Sequence, residues 1–486
     1  MTPQFEEPQI VTSIAESSHY GGAGVMSDSS ISEPYEWWRE LGGKELSEWV
    51  NQLREHNLVL VEARSRNEQT RISARLKGGN RWPEVTLNNN ALRYKSNNTW
   101  SNSYSIGLNA SLDTDVFGGL RASQRVAELT AAATEADYAA LEQQQIATLA
   151  NNYLAAAALK RRLRLARSAA ESYQTTLNVT DGQYRTGSKL TSATDVQIAR
   201  QNLDSALADI PDLETQLTIQ LFEIDGQLAR FPGVTAKTFE GDLPSVSDAD
   251  IPIGMPASLL TRRPDVAVAE LQYRAALEDV GVARASQFPG LTLRSNLIFT
   301  SNYPGQVFDF VDYTASLFAS LVQPVFQGGR LRNEFRLQRA KANELGFAYA
   351  RTALAALSEV ETALAKLAGN SARVRLLRDA VESARLSDEL VQNRHRQGLE
   401  TLLKVLETRR ALDTERENLI LAEQSLYEAR VDLYLSLGGI WFADEPEQQD
   451  TTLSMVPRKA SNAVTELCLS SLESAIKNRC VHDRNR

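Results

Sequence analysis

Cysteine is nearly absent: Cys468 and Cys480 are the only two in 486 residues, and both fall near the C-terminus. No disulfide can therefore staple the core, and a thiolate metal centre is excluded. Histidine is as scarce, with His19, His56, His395 and His482 scattered at no ligand spacing. Excess positive charge is missing too. The net charge is −9, whereas a nucleic-acid surface needs clustered Lys and Arg. The short run Lys160-Arg161-Arg162 lies in helical pattern and reads as a solvated face. No apolar run is long enough for a membrane helix. Met1 to Gly24 lacks the basic start and apolar middle of a secretory leader. No grouping of nucleophile, base and orienting residue is visible, so the chain is expected to be no enzyme and to hold no cofactor or metal.

A further absence is informative. From Arg121 to Asp181 there is neither proline nor glycine, which predicts a helix of about 60 residues reaching about 90 Å. No compact domain has a core that wide. Arg330 to Gln397 repeats the pattern, free of proline and carrying only Gly346 and Gly369. Return helices are predicted over Thr191 to Leu228 and Leu402 to Leu437, the first with a kink or break near Ile210 because Pro211 follows. Alanines recur among leucines along these stretches, as in Ala155 to Ala158, and small residues let helices approach closely.

The chain is a duplication. A helical pattern from Glu45 to Lys77, with a break expected near Asn57 and Gly78-Gly79 at its end, meets Arg81-Trp82-Pro83 and then the strand Val85-Thr86-Leu87. Later a helix predicted from Ser258-Leu259-Leu260 to about Ser286 meets Phe288-Pro289 and the strand Leu291-Thr292-Leu293. Asp115-Val116-Phe117-Gly118-Gly119 answers to Pro324-Val325-Phe326-Gln327-Gly328-Gly329-Arg330, and Tyr184-Arg185-Thr186-Gly187 to His395-Arg396-Gln397-Gly398. The expected organisation is an extended N-terminal arm over 1–43, a first repeat over 44–240, a second over 241–440 and a flexible tail over 441–486. Trp37, Trp38 and Leu41 are expected to dock on the first helices.

Each repeat carries one strand hairpin. Ser103 to Leu112 alternates, with Tyr104, Ile106, Leu108, Ala110 and Leu112 on one face; its partner lies near Glu84 to Tyr94, with Lys95 to Asn102 as the loop. Leu291, Leu293, Leu297 and Phe299, then Tyr313, Ala315, Leu317, Ala319 and Leu321, form the second hairpin. Strands of about ten residues suit a tilted crossing of a bilayer. Barrels in lipid begin at about eight strands, because an open edge leaves backbone groups unsatisfied. Closure would require several copies of the chain.

Leu259-Leu260-x-Arg262-Arg263-Pro264-Asp265-Val266, with Ala269-Glu270 and Phe288-Pro289, resembles the outer-membrane efflux channels of tripartite pumps, in their nodulation-type, OprM-like lipoprotein branch. The resemblance implies a mainly α fold with a β-barrel portion: a long-helix α-barrel continuous with a transmembrane β-barrel shared by a homotrimer. It implies a passive exit duct for drugs, toxic organics or metals, seated in outer-membrane lipid. An inner-membrane transporter of the RND class and a periplasmic adaptor (membrane fusion) protein are the implied partners, with no nucleic acid. Thr2-Pro3-Gln4-Phe5-Glu6-Glu7-Pro8 is similar to the segment that follows the lipid-bearing cysteine in that branch, so an upstream signal and lipidation cysteine are expected.

By the same resemblance Arg185, Gly187, Arg396 and Gly398 mark the periplasmic tip and adaptor contact, and Asp195, Lys404 and Glu407 the aperture. Asp195 fits the expected acidic position after a shift of about two residues, which implies a small insertion around Ser188-Lys189. Lysine stands at 404 where an acid is expected, and Lys404 is predicted to pair with a carboxylate. Gly182-x-x-x-x-Gly187-Ser188-Lys189 nearly matches a phosphate loop, but the lysine is one place late and a helix, not a strand, precedes it. Two other readings stay open: the exit duct of a one-step (type I) protein secretion system, and a soluble coiled-coil scaffold.

Overall fold

A computed structural model describes residues 8–9, 11–12, 36–187, 191–244, 262–309 and 312–439. The tail with Cys468 and Cys480, and Leu259-Leu260, lie outside them. The element order is α1 (Trp38–His56), α2 (Leu58–Gly79), β1 (Glu84–Ser96), β2 (Thr99–Thr114), α3 (Gly119–Arg185), α4 (Ala193–Gln227), α5 (Pro264–Ala285), β3 (Gly290–Ser301), β4 (Tyr313–Val322), α6 (Arg330–Arg396) and α7 (Leu402–Ser436).

The repeats match in length. α3 and α6 have 67 residues each, or about 100 Å at 1.5 Å per residue. α4 and α7 have 35 each and α2 and α5 have 22 each. A short helix and a return helix together run alongside each long one. α3 packs on α2 and α5 over the half nearer the strands and on α4 and α7 over the other, while α6 packs on α5 and α7. The lateral order is α2/α4, α3, α5/α7, α6. The main core lies where α1 meets α3 and α7, around Trp38, Leu46, Leu149, Leu154, Ile224 and Tyr434.

At the junction between short and return helices the repeats use different residues for one task. Asn57 is extended (φ −59°, ψ 122°), caps α2 by accepting from Val59 N and Leu60 N, and donates 2.8 Å to the carbonyl of Gln227, the last residue of α4. Arg263, the residue before α5, donates 3.0 Å to the carbonyl of Ser436, the last residue of α7. Its guanidinium is also held at both oxygens of Asp265 (3.0 and 2.7 Å) and by Glu359 at 2.6 Å. The Arg-Pro-Asp run is thus a staple between stacked helices.

The four strands form one antiparallel sheet in the order β1-β2-β3-β4. β2–β3 pairing, from Tyr104↔Ser301 to Thr114↔Leu291, joins the repeats. The register puts Leu87, Leu108 and Leu297 in one row and Leu112, Leu293 and Ala319 in another. Thr86, Asn109, Asn296 and Ser316 point to the opposite face. One face is a nearly continuous apolar band and the other is polar, as expected of a sheet between lipid and water.

Several expectations are corrected. The loop expected over Lys95 to Asn102 shrinks to Asn97-Asn98, both left-handed (φ 45° and 67°), because two asparagines accept the conformation that a two-residue hairpin demands. Helix α4 runs through Pro211 without a break. Proline forfeits one bond, to the carbonyl of Leu207, and both residues are on the exposed face, where water can serve that oxygen. The start of the helix placed from Ser258 lies outside the described residues; within them proline forces Arg263 out of helical geometry (φ −80°, ψ 118°) and then starts α5 at Pro264. α1 begins at Trp38, inside the stretch expected to be an extended arm, and turns at Gly43 (φ 56°). Trp37 stacks not on the first helices alone but on Tyr434 of α7, ring centroids 5.5 Å apart.

Candidate functional sites at the two ends of the helical layer

At the strand end, aromatic residues bracket the apolar face. Phe117 and Phe288 stack at 4.8 Å where helices meet strands, and Trp82 and Phe326, in the other two helix–strand connections, are exposed. Tyr104, Phe299 and Tyr313 sit towards the far end of the band, with Phe299 and Tyr313 in ring contact at 6.1 Å. Such girdles mark the two interfaces of a membrane-spanning sheet. No helix among the described residues is long and apolar enough to cross a membrane.

At the opposite end each long helix turns into its return helix through a left-handed glycine, Gly187 at φ 77° and Gly398 at φ 74°. The Gly398 turn closes with Gly398 N donating to His395 O (2.8 Å) and Leu399 N to Arg394 O (3.0 Å), which satisfies two terminal carbonyls. Arg185 is exposed and paired with Asp181 at 2.8 Å, and Arg396 hydrogen-bonds Asn393. The tip thus presents two glycine turns, each preceded by an arginine.

The residues expected at the aperture take matching places in the two repeats. Ser192 caps α4 and forms a reciprocal capping box with Asp195, third in the helix (Asp195 N to Ser192 Oγ 3.2 Å, Ser192 N to Asp195 Oδ2 2.8 Å). Thr401 caps α7, and Lys404 holds the same third position. Seven residues separate α3 from α4 and five separate α6 from α7; the insertion expected around Ser188-Lys189 lies outside the described residues. A lysine cannot return the box's second bond and opposes the helix dipole; instead its Nζ reaches Glu407 Oε2 at 3.1 Å, one turn along. Lys404 does meet a carboxylate, but on its own helix.

Sequence reasoning missed a polar cluster above the tip that joins three helices. Arg409 of α7 lies 3.3 Å from Asp388 Oδ2 of α6, donates 2.7 Å to Ser172 Oγ of α3 and sits 3.6 Å from Asp413. Tyr173 of α3 reaches Asp413 at 3.5 Å, and Gln392 donates 2.8 Å to Asp388. Asp388 is almost fully buried. Burial raises the Asp413 carboxyl above its usual range, against the pull of Arg409 and Arg416. Burial and the Asp413 charge push the Tyr173 phenol up to about 12. A cavity of about 330 Å³ lies beside the cluster, lined in part by Thr176, His395, Val405 and Arg409. One signal was present in the sequence: Arg409 and Asp413 repeat Arg200 and Asp204 at the same distance from the helix cap.

A girdled, membrane-type sheet attached to helices of about 100 Å, far longer than a bilayer is thick, defines an outer-membrane channel. The chain belongs to the outer membrane efflux protein family, whose model matches residues 49–228 and 255–439. It is 32% identical over 434 residues to the pyoverdine export outer membrane protein OpmQ of Pseudomonas aeruginosa, covering 86% of this chain and 90% of that one. It is 24% identical over 394 residues to the cation efflux system protein CusC of Escherichia coli, covering 79% of this chain and 84% of the other. Among solved structures the outer-membrane channel OprN superposes with a TM-score of 0.80 at 26% identity, covering 90% of this chain and 99% of that one. The open state of the Neisseria gonorrhoeae MtrE channel superposes at 0.82 and 22% identity, covering 90% and 98%.

Proposed function

We propose that the chain assembles as a homotrimer into a passive exit duct that carries small solutes across the outer membrane, in line with an inner-membrane pump and a periplasmic adaptor. One observation carries this reading: exposed large apolar side chains collect on the outermost elements. β1 shows Leu87 and Leu92, β4 shows Leu317 and Leu321, α2 shows Leu58 and Leu76, and α6 shows Phe347 and Leu390. α5, flanked on both sides, shows none. Unpaired strands and apolar helix faces at both lateral edges require partners, and a second copy offers the complementary edge on each side. Three copies supply twelve strands, enough to close a barrel in lipid.

The substrate class rests on the relatives, whose names span pyoverdine export and cation efflux. The glycine tips with Arg185 and Arg396 are the proposed adaptor contact. Asp195, Lys404 and Glu407 face the aperture in this reading, and the Arg409 cluster latches α3 to α6 and α7 beside it. Purified protein in planar bilayers should give discrete single-channel currents, and photo-cross-linkers at Arg185 and Arg396 should capture the adaptor in intact cells. Absence of any conductance would overturn the duct, and capture only from control positions on α1 would overturn the tip assignment.

A further inference from the structure

The β1–β2 hairpin outruns the rest of the sheet. β2 pairs with β3 only as far as Tyr104↔Ser301, yet it continues with β1 to the turn at Asn97-Asn98. On this projection Arg93 pairs across from Asn102 and Lys95 from Trp100, so Arg93, Lys95 and Trp100 share the face of Leu87, Leu108 and Tyr104, the apolar one. The Arg93 guanidinium lies 5.0 Å and the Lys95 ammonium 5.9 Å from the centre of the exposed Trp100 ring. No carboxylate occurs between Ala91 and Tyr104, and neither cation has an ion pair among the described residues. The other hairpin end carries Asp309 and Asp312 instead.

Depth decides what these cations meet. With the apolar face towards lipid, Tyr104 belongs to the girdle at the end away from the helices, which is the outer surface. Two and four residues further along a strand rising about 3.3 Å per residue and tilted by about 40°, Arg93 and Lys95 stand roughly 5 and 10 Å beyond that girdle. The headgroup layer occupies roughly that depth outside the hydrocarbon. A tryptophan with two cations against its ring holds the charges at a fixed height, already partly stripped of water, on the side facing lipid.

We propose that Arg93, Lys95 and Trp100 form a binding site for the phosphate groups of an anionic outer-leaflet lipid, which anchors this hairpin in the headgroup layer. The inference rests on the sheet crossing the bilayer as proposed above, and the test separates the two. The full-length protein is inserted into phosphatidylcholine nanodiscs containing a minor fraction of diphosphorylated lipid A, and retained glycolipid is counted by native mass spectrometry for the parent and for Arg93→Gln/Lys95→Gln. Conductance in planar bilayers of phosphatidylcholine is recorded in parallel. The double variant should retain lipid A about thirty-fold more weakly, as loss of two interfacial cations implies, with unchanged conductance. Dephosphorylated lipid A should not distinguish the two proteins.

Equal retention of the diphosphorylated lipid by both proteins, with both conducting, overturns the site and leaves the channel standing. A double variant that instead falls apart in lipid-free detergent shows the cations pairing with carboxylates of a neighbouring copy, and also overturns it. Failure of the parent to insert or conduct overturns both readings.

Discussion

The two repeats have helices of identical length, and they differ in their surroundings. α7 is flanked by α3 and α6, while α4 has α3 on one side and an open edge on the other. The same positions therefore meet different fates. Arg409 and Asp413 are drawn into the cluster with Asp388 and Tyr173, whereas Arg200 is exposed and Asp204 likewise, with no ion pair among the described residues. Ile420 of α7 is buried, and its counterpart in α4 is Pro211, tolerated because that face of the helix is open. Duplication supplied the scaffold; position in the layer decided which copy of each residue became internal.

Substitutions at matched positions can break this comparison. The largest effect is expected at Arg409→Ala, which leaves Asp388 buried without its cation and should cost about 3–5 kcal/mol, whereas Arg200→Ala should cost under about 1 kcal/mol. Denaturant unfolding of the two variants measures the gap, and equal losses would show that flanking does not matter. At the helix junctions, Arg263→Ala removes a buried donor and leaves Asp265 and Glu359 facing each other, an expected loss of about 2–4 kcal/mol. Asn57→Ala removes a cap and one cross-junction bond, for about 1–3 kcal/mol. Thermal unfolding should rank them in that order.

Lys404→Asp makes the second tip like the first. The capping box should regenerate, stabilising α7 by about 1 kcal/mol, and one positive charge per chain should be exchanged for a negative one at the proposed aperture. Bilayer recordings should show greater cation selectivity, and unchanged currents would remove position 404 from the aperture. The smallest expected effect concerns pH. Asp413 has a carboxyl raised by burial, so its contribution favours the packed tip fully below the ordinary aspartate range and is lost as pH rises through the raised value. Asp413→Asn should abolish that slope; a slope that persists would assign it to another group.

Much of this was legible in advance. Absence of proline and glycine marked the long helices, alternation marked strands β2 to β4, and the paired glycines marked both tips. The two-residue turn at Asn97-Asn98 was hidden because polar β1 has weak alternation around Asn88-Asn89-Asn90, so the strand's end could not be read from its pattern. The cluster around Arg409 was hidden for another reason: its members come from α3, α6 and α7, up to 240 residues apart, as in the Tyr173–Asp413 pair. No local periodicity reports such a meeting. The role of Arg263 was similarly remote, since the motif around it was plain while its partner carbonyl, 173 residues away, was not.

The lateral edges of the single chain set the central claim, since β1 and β4 are the sheet's unpaired edges and α2, α4 and α6 have outer faces with no helix packed on them among the described residues. Light scattering coupled to size exclusion on gently extracted, detergent-solubilised protein measures the number of chains per particle directly. The account predicts a particle of three chains; a homogeneous single-chain species would contradict it.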